Sequence, residues 1–203
     1  MHFEIQNFFP KALASCTDLY KFSEEELEFI KSQERAYNGS GYNFRSENTY
    51  ILKSPEMKNI FEYVSHGVRF YAHTILSASD DVEFYITQSW LNWTEPGQSH
   101  HEHAHPNSII SGVFYIDVDE KHDSISFVND KYDRIHLVKK EATPWNTVKC
   151  AFETKVGQMM LFDSSVVHCV EPTTSSSTRI SLSFNVFAKG SLGFDDALTQ
   201  LIL

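Results

Sequence analysis

From Val82 onward the pattern changes to short strand-like runs, some of them alternating, and this change limits the possible folds more than any other feature of the sequence. Val82-Glu-Phe84-Tyr-Ile86 alternates, and Val113-Phe-Tyr115-Ile-Asp117 and Ser124-Ile-Ser-Phe127 continue the pattern. A period of two sends successive side chains to opposite faces of an extended chain. Further strand-like runs cover Cys150 to Phe152, Met159 to Phe162, Val166 to Val170 and Arg179 to Phe187, with turn-rich segments between them. Six or seven such strands predict an antiparallel sandwich or barrel.

The N-terminal third reads differently. Ser23 with Glu26 three positions on forms a capping-box pattern ahead of Leu27, Phe29 and Ile30. A second helix is expected from Ser54, with Pro55 at its first position. Met57, Ile60, Phe61, Val64, Val68, Tyr71 and Ile75 then form one apolar stripe, interrupted by Gly67. The expectation is a mainly β protein in which N-terminal helices pack on an antiparallel jelly roll. At 203 residues the chain suits one domain. Residues 1–80 would be a helical support region, 81–188 the jelly-roll core and 189–203 a C-terminal tail.

Composition removes several classes of function. The net charge is −10 and no basic cluster exceeds Lys139-Lys140, so non-specific nucleic-acid binding is not expected. The longest uncharged apolar-leaning run, Ser108 to Ile116, is far short of a membrane span. The N-terminus carries no basic region followed by an apolar stretch. Cys16, Cys150 and Cys169 form an odd set without CxxC spacing, as for reduced thiols. The expected location is therefore cytoplasmic, with no membrane partner. Oligomeric state is not legible in the sequence.

Four of the ten histidines fall in His100-His101-Glu102-His103-Ala-His105-Pro106. Neutral imidazole is the commonest protein metal ligand. His101-Glu102-x-x-His105 formally fits the HExxH pattern, but that chemistry needs a helix. Pro96-Gly97 before the segment and Pro106 after it, with no apolar helical stripe, favour an extended chain. In a strand, residues 101, 103 and 105 would share one face at roughly 6.6 Å steps, with His100 and Glu102 pointing away. A third ligand must come from elsewhere, and His168 in Val166-Val-His-Cys-Val170 is the candidate.

Eleven positions after His168 the chain reads Arg179-Ile-Ser181-Leu-Ser-Phe-Asn185. In this order the pieces resemble the 2-oxoglutarate/Fe(II)-dependent dioxygenases, with their His-x-Asp/Glu, distal His and later Arg-x-Ser on a double-stranded β-helix. His103-Ala-His105-Pro-Asn-Ser108 with Ser111-Gly-Val-Phe-Tyr115 looks most like a bacterial and phage branch related to the prolyl-hydroxylase-like oxygenases. The resemblance runs from about Ser89 to Phe187. It implies Fe(II) held by His103, His105 and His168, with 2-oxoglutarate and O2 as cosubstrates. It further implies that Arg179, Ser181 and Tyr115 bind 2-oxoglutarate, and that no catalytic residue is needed beyond the metal ligands. Trp90, Asn92 and Trp93 precede the ligand loop and would line the substrate mouth.

The implied reaction is hydroxylation of a C–H bond in a peptidyl (for example prolyl) or small-molecule substrate, with release of succinate and CO2. His105 stands where that superfamily has a carboxylate. Three histidines also match some zinc hydrolytic sites. Two alternatives thus stay open: a cupin-like three-histidine metalloenzyme that does not use 2-oxoglutarate, and a non-catalytic jelly-roll binding module with a structural metal.

Overall fold

The computed structural model describes residues 1–39, 42–129 and 137–203. In chain order the elements are β1 (Leu13–Ser15), α1 (Glu24–Ser32), β2 (Arg35–Asn38), β3 (Asn43–Ser46), α2 (Lys58–Phe70), β4 (Val82–Thr94), β5 (His100–His103), β6 (Ile110–Asp117), β7 (Ser124–Val128), β8 (Lys149–Glu153), β9 (Met159–Asp163), β10 (His168–Val170), β11 (Arg179–Leu192) and β12 (Leu201–Ile202). The larger sheet runs β1-β9-β6-β11-β4-β3-β2, with β12 joined to β11, and the smaller runs β5-β10-β7-β8. Every ladder within these sheets is antiparallel. This is the jelly roll that the alternation predicts.

Both helices form where their signals stand. At α1 the Ser23 hydroxyl accepts from the Glu26 amide at 3.2 Å, and the Glu26 carboxylate accepts from the Ser23 amide at 2.8 Å. Tyr20 donates to the same carboxylate at 2.7 Å. Pro55 opens a 3-10 turn that leads into α2, whose Ile60, Val64 and Val68 are buried. The stripe is narrower than the sequence suggests, because Phe61 and Ile75 are exposed. Gly67 is there for closeness: a β-carbon at this position would run into the Met159 side chain of β9.

The larger sheet is covered on both faces, and its central strands show why alternation fades there. From β6, Phe114 and Ile116 join the helices in one core, while Val113 and Tyr115 point to the second core between the sheets. Met159 and Leu161 of β9 face the helices; Met160 and Phe162 face the smaller sheet. A strand buried on both sides reads as a continuous apolar run.

The N-terminal segment expected as helical support also contributes β1, β2 and β3 to the larger sheet. The hairpin pair Arg35-Ala-Tyr-Asn38 and Asn43-Phe-Arg-Ser46 carries no apolar alternation, so its sequence gives no strand signal. Residues beyond 188 likewise continue β11 and return as β12.

Candidate metal centre and cosubstrate pocket

β5 and β10 lie side by side in the smaller sheet, and their pairing brings the histidines together. His103 is opposite His168, yet His100 rather than His101 is opposite Val170. Three steps along β5 thus match two along β10. Such a bulge breaks strict alternation and re-aims side chains. As a result His100 turns to the inner side with His103, their rings stacked at 4.6 Å, while the exposed His101 keeps its ring 4.8 Å from that of His103. This corrects the strand reading of the sequence, which put His101 inward and His100 outward. His101 is exposed, and Glu102 pairs with Lys149 at 2.8 Å on the outside, so it does not supply a carboxylate to the cluster.

His105 follows β5, held by its amide on the Ser164 carbonyl at 2.9 Å. One nitrogen from each of His103, His105 and His168 lies within 4.8 Å of the others, a grouping able to hold a metal ion. The remaining nitrogens are engaged in the same way at all three. Nδ1–H of His103 donates to the His101 carbonyl at 2.8 Å, and that of His168 to the Val166 carbonyl at 2.9 Å. Nδ1–H of His105 donates to Oδ1 of Asn185 in a short bond. A donor requirement at Nδ1 fixes the tautomer and leaves Nε2 as a lone pair, the form a metal takes.

Burial acts in the same direction. It lowers the pKa of His168 to about 3, reinforced by His103, and that of His103 to about 4. His105 is also lowered, chiefly by burial, and His100 falls to about 3 for the same reason. The imidazoles are therefore neutral at physiological pH.

β11 brings the second half of the site. Its register with β4 and β6 sets Asn92, Ser181 and Tyr115 in one row across the sheet. Arg179, two residues before Ser181, is 3% exposed, with its guanidinium carbon 5.3 Å from the centre of the Tyr115 ring. Burial raises the Tyr115 pKa to about 12 despite the opposing pull of Arg179, so the phenol keeps its proton. A narrow cavity of about 40 Å³ runs among Arg179, Ser181, Asn92, Trp90 and the histidines. That is room on the scale of a few water molecules or one carboxylate group.

Five buried side-chain polar atoms lack a partner among the described residues, and three of them belong to this cavity: His105 Nε2, Asn92 Oδ1 and Arg179 Nε. Unpaired buried polar atoms each cost about 1–3 kcal/mol. Their convergence fits a site built to receive a metal and an anion.

Trp90 and Asn92 line the cavity, but Trp93 does not. It is three positions from Trp90 along β4 and so faces the other side, fully buried in the helix-side core beneath Arg35, whose guanidinium carbon is 4.5 Å from its ring centre. The sequence reading missed His100 and Asn185. The bulge that turns His100 inward has no local signature, and Asn185 stands within the Arg-x-Ser strand without a motif of its own.

A histidine cluster able to hold a metal ion therefore faces a buried arginine across one cavity of the jelly roll. Residues 88–185 match the model of a family described as "Putative 2OG-Fe(II) oxygenase". The solved structures that the chain resembles include a prolyl-4-hydroxylase from Pseudomonas putida, at 14% identity and TM-score 0.61 over 89% of this chain and 94% of that one. Another is HygX from Streptomyces hygroscopicus with nickel, 2-oxoglutarate and hygromycin B bound, at 11% identity and TM-score 0.58 over 87% of this chain and 82% of that one. A third is the α-ketoglutarate-dependent carbocyclase SnoK from nogalamycin biosynthesis, at 15% identity and TM-score 0.61 over 93% and 85%. No curated protein sequence matches the chain. Residues 88–185 thus resemble a 2-oxoglutarate/Fe(II)-dependent oxygenase domain, and structures of the same fold have been solved with Fe3+ or nickel and 2-oxoglutarate bound. No helix among the described residues is long and apolar enough to cross a membrane.

Proposed function

We propose that His103, His105 and His168 hold the Fe(II), and that the chain hydroxylates a C–H bond of a peptidyl (for example prolyl) or small-molecule substrate, releasing succinate and CO2. The observation that carries this reading is the convergence of the unpaired His105, Asn92 and Arg179 atoms on one cavity. When bound, iron with 2-oxoglutarate and O2 supplies an oxidant strong enough for an unactivated C–H bond, chemistry no side chain offers.

The residues provide binding, orientation and exclusion of water. Arg179 meets the far carboxylate of 2-oxoglutarate with a planar fork of donors, a geometry lysine lacks. Ser181 and Tyr115 share the face of Arg179 and offer hydroxyl donors to the same group. The phenol of Tyr115 remains a donor because its pKa is far above neutrality. Trp90 and Asn92 form the wall on the substrate side.

The all-histidine ligand set has an electrostatic consequence. Three neutral ligands would leave both charges of Fe(II) uncompensated, and the near carboxylate of 2-oxoglutarate would offset one of them while the far one meets Arg179. Metal and cosubstrate should therefore bind with strong mutual support, and linkage makes that support reciprocal. Calorimetry with Ni(II) should show the metal binding at least tenfold more tightly in saturating 2-oxoglutarate. Arg179→Ala should weaken 2-oxoglutarate by about 10- to 100-fold, the scale of a lost charged hydrogen bond, while leaving the affinity for metal alone unchanged. A protein that binds metal but shows no response to 2-oxoglutarate contradicts the proposal and favours the three-histidine metalloenzyme without that cosubstrate.

A further inference from the structure

A second cavity, of about 750 Å³, shares His100, His103, His105 and Trp90 with the narrow one. Its size is that of pockets that enclose small-molecule ligands. Its one arginine is Arg45, on β3. Register fixes the direction of that side chain. Arg45 pairs with Asn92, Asn92 with Ser181, and Ser181 with Tyr115. Directly opposed residues of antiparallel strands point to the same face. Arg45 thus extends the row that binds the cosubstrate in the reading above, two strands or about 10 Å beyond Ser181.

Arg45 is distinguished by its place: it is the cleft's one arginine and stands on the face of the cosubstrate row. The sequence holds 27 acidic residues against 17 basic ones, yet Arg45 has no carboxylate partner among the described residues. Its hydrogen bond is Nη1 to the neighbouring Ser46 carbonyl, at 2.9 Å. A guanidinium has five N–H donors, so the one bond to Ser46 leaves capacity for an anion in the cleft that Arg45 lines. Arg179 does not line this cleft and Arg45 does not line the narrow cavity. The two cations therefore stand in different cavities.

We infer that Arg45 anchors the primary substrate and selects a molecule carrying a carboxylate, with an apolar portion against Trp90 and the reacting carbon toward His103 and His105. The inference rests on the proposed function for the identity of the histidine side as the reacting side. A carboxylate can belong to a free small acid or to an acidic side chain of a polypeptide, and the test separates the two.

The full chain, loaded with Ni(II) and saturating 2-oxoglutarate, is titrated calorimetrically with two matched pairs of probes. The first is N-acetylproline against N-acetylprolinamide; the second is a blocked Glu-Pro-Gly peptide against its Gln-Pro-Gly counterpart. The expected result is at least tenfold tighter binding of the acid in one pair, and that pair identifies the source of the carboxylate. Arg45→Gln should abolish the preference, Arg45→Lys should keep part of it, and both should retain the affinity for 2-oxoglutarate. Equal or undetectable binding of acid and amide in both pairs overturns the inference, as does a preference that survives Arg45→Gln. Repeating the pairs without metal or 2-oxoglutarate keeps the outcomes distinct. Loss of 2-oxoglutarate binding tells against the proposed function, whereas loss of the acid preference tells against Arg45 alone.

Discussion

Asn185 decides which nitrogen of His105 faces the cavity. Its side-chain oxygen accepts from Nδ1–H, which leaves the buried Nε2 free to act as a donor to a metal. Partners of this kind typically account for 10- to 100-fold in metal affinity. Asn185→Leu should therefore weaken Ni(II) or Zn(II) binding by that factor in a competition titration, and Asn185→Asp, which keeps an acceptor, should restore most of it. The depressed imidazoles also make stability depend on pH. His168 falls from an ordinary 6.5 to about 3 on burial, so below pH 6.5 the unfolded chain takes up a proton that the folded chain refuses. The metal-free protein should have its full stability above pH 6.5 and lose it progressively toward pH 4, by up to about 1.4 kcal/mol per pH unit for each such group. Denaturant melts across that range should show a shallower slope for His168→Gln; an unchanged slope would mean that this ring titrates normally. At this scale the histidine spacing together with the family resemblance singled out His103, His105, His168 and Arg179, which the structure brings to one cavity. They did not reveal His100 or Asn185, because a side chain that acts through a bulge or a neighbour leaves no spacing rule.

Among the elements, β11 organises the molecule. It pairs with β4 on one side and β6 on the other, and its register sets the row Asn92, Ser181, Tyr115. Gly112 on β6 lies under the fully buried Phe184 ring of β11, and any β-carbon there would overlap the ring. Phe184 has no room to withdraw, so Gly112→Val should destabilise by about 1–3 kcal/mol, the cost of overpacking a filled core. Equilibrium unfolding measures it directly, and an unchanged midpoint would contradict the packing described. The strands most legible in sequence are the long apolar ones, β4, β6, β9 and β11. Those least legible are β2 and β3, whose polar residues are extended only because β4 offers an edge to pair with. The same pairing places Arg45 in the cleft, and for this reason tertiary context, not local pattern, controls that part of the site. α1 lies at the opposite extreme, since its capping box is entirely local and appears as the sequence predicts.

The whole molecule places a histidine cluster able to hold a metal ion opposite a cation on the larger sheet, so the proposed function depends on the two sheets facing each other closely. Neither half is informative alone. Histidines in a loop and an arginine in a strand each have ordinary structural explanations, and only the jelly-roll closure puts their unpaired atoms around one space. That closure was foreseen from the alternation after Val82 together with the order of motifs, while the exact faces were not, as Trp93 shows by lying in the helix-side core. The most direct test of the closure is an anaerobic titration of the Fe(II)-loaded protein with 2-oxoglutarate, followed in the visible spectrum. A metal-to-ligand charge-transfer band should grow to saturation at one equivalent per chain, be absent in His103→Ala, and require far more 2-oxoglutarate in Arg179→Ala. A fully metallated protein that develops no band, or a band indifferent to Arg179, would contradict the account.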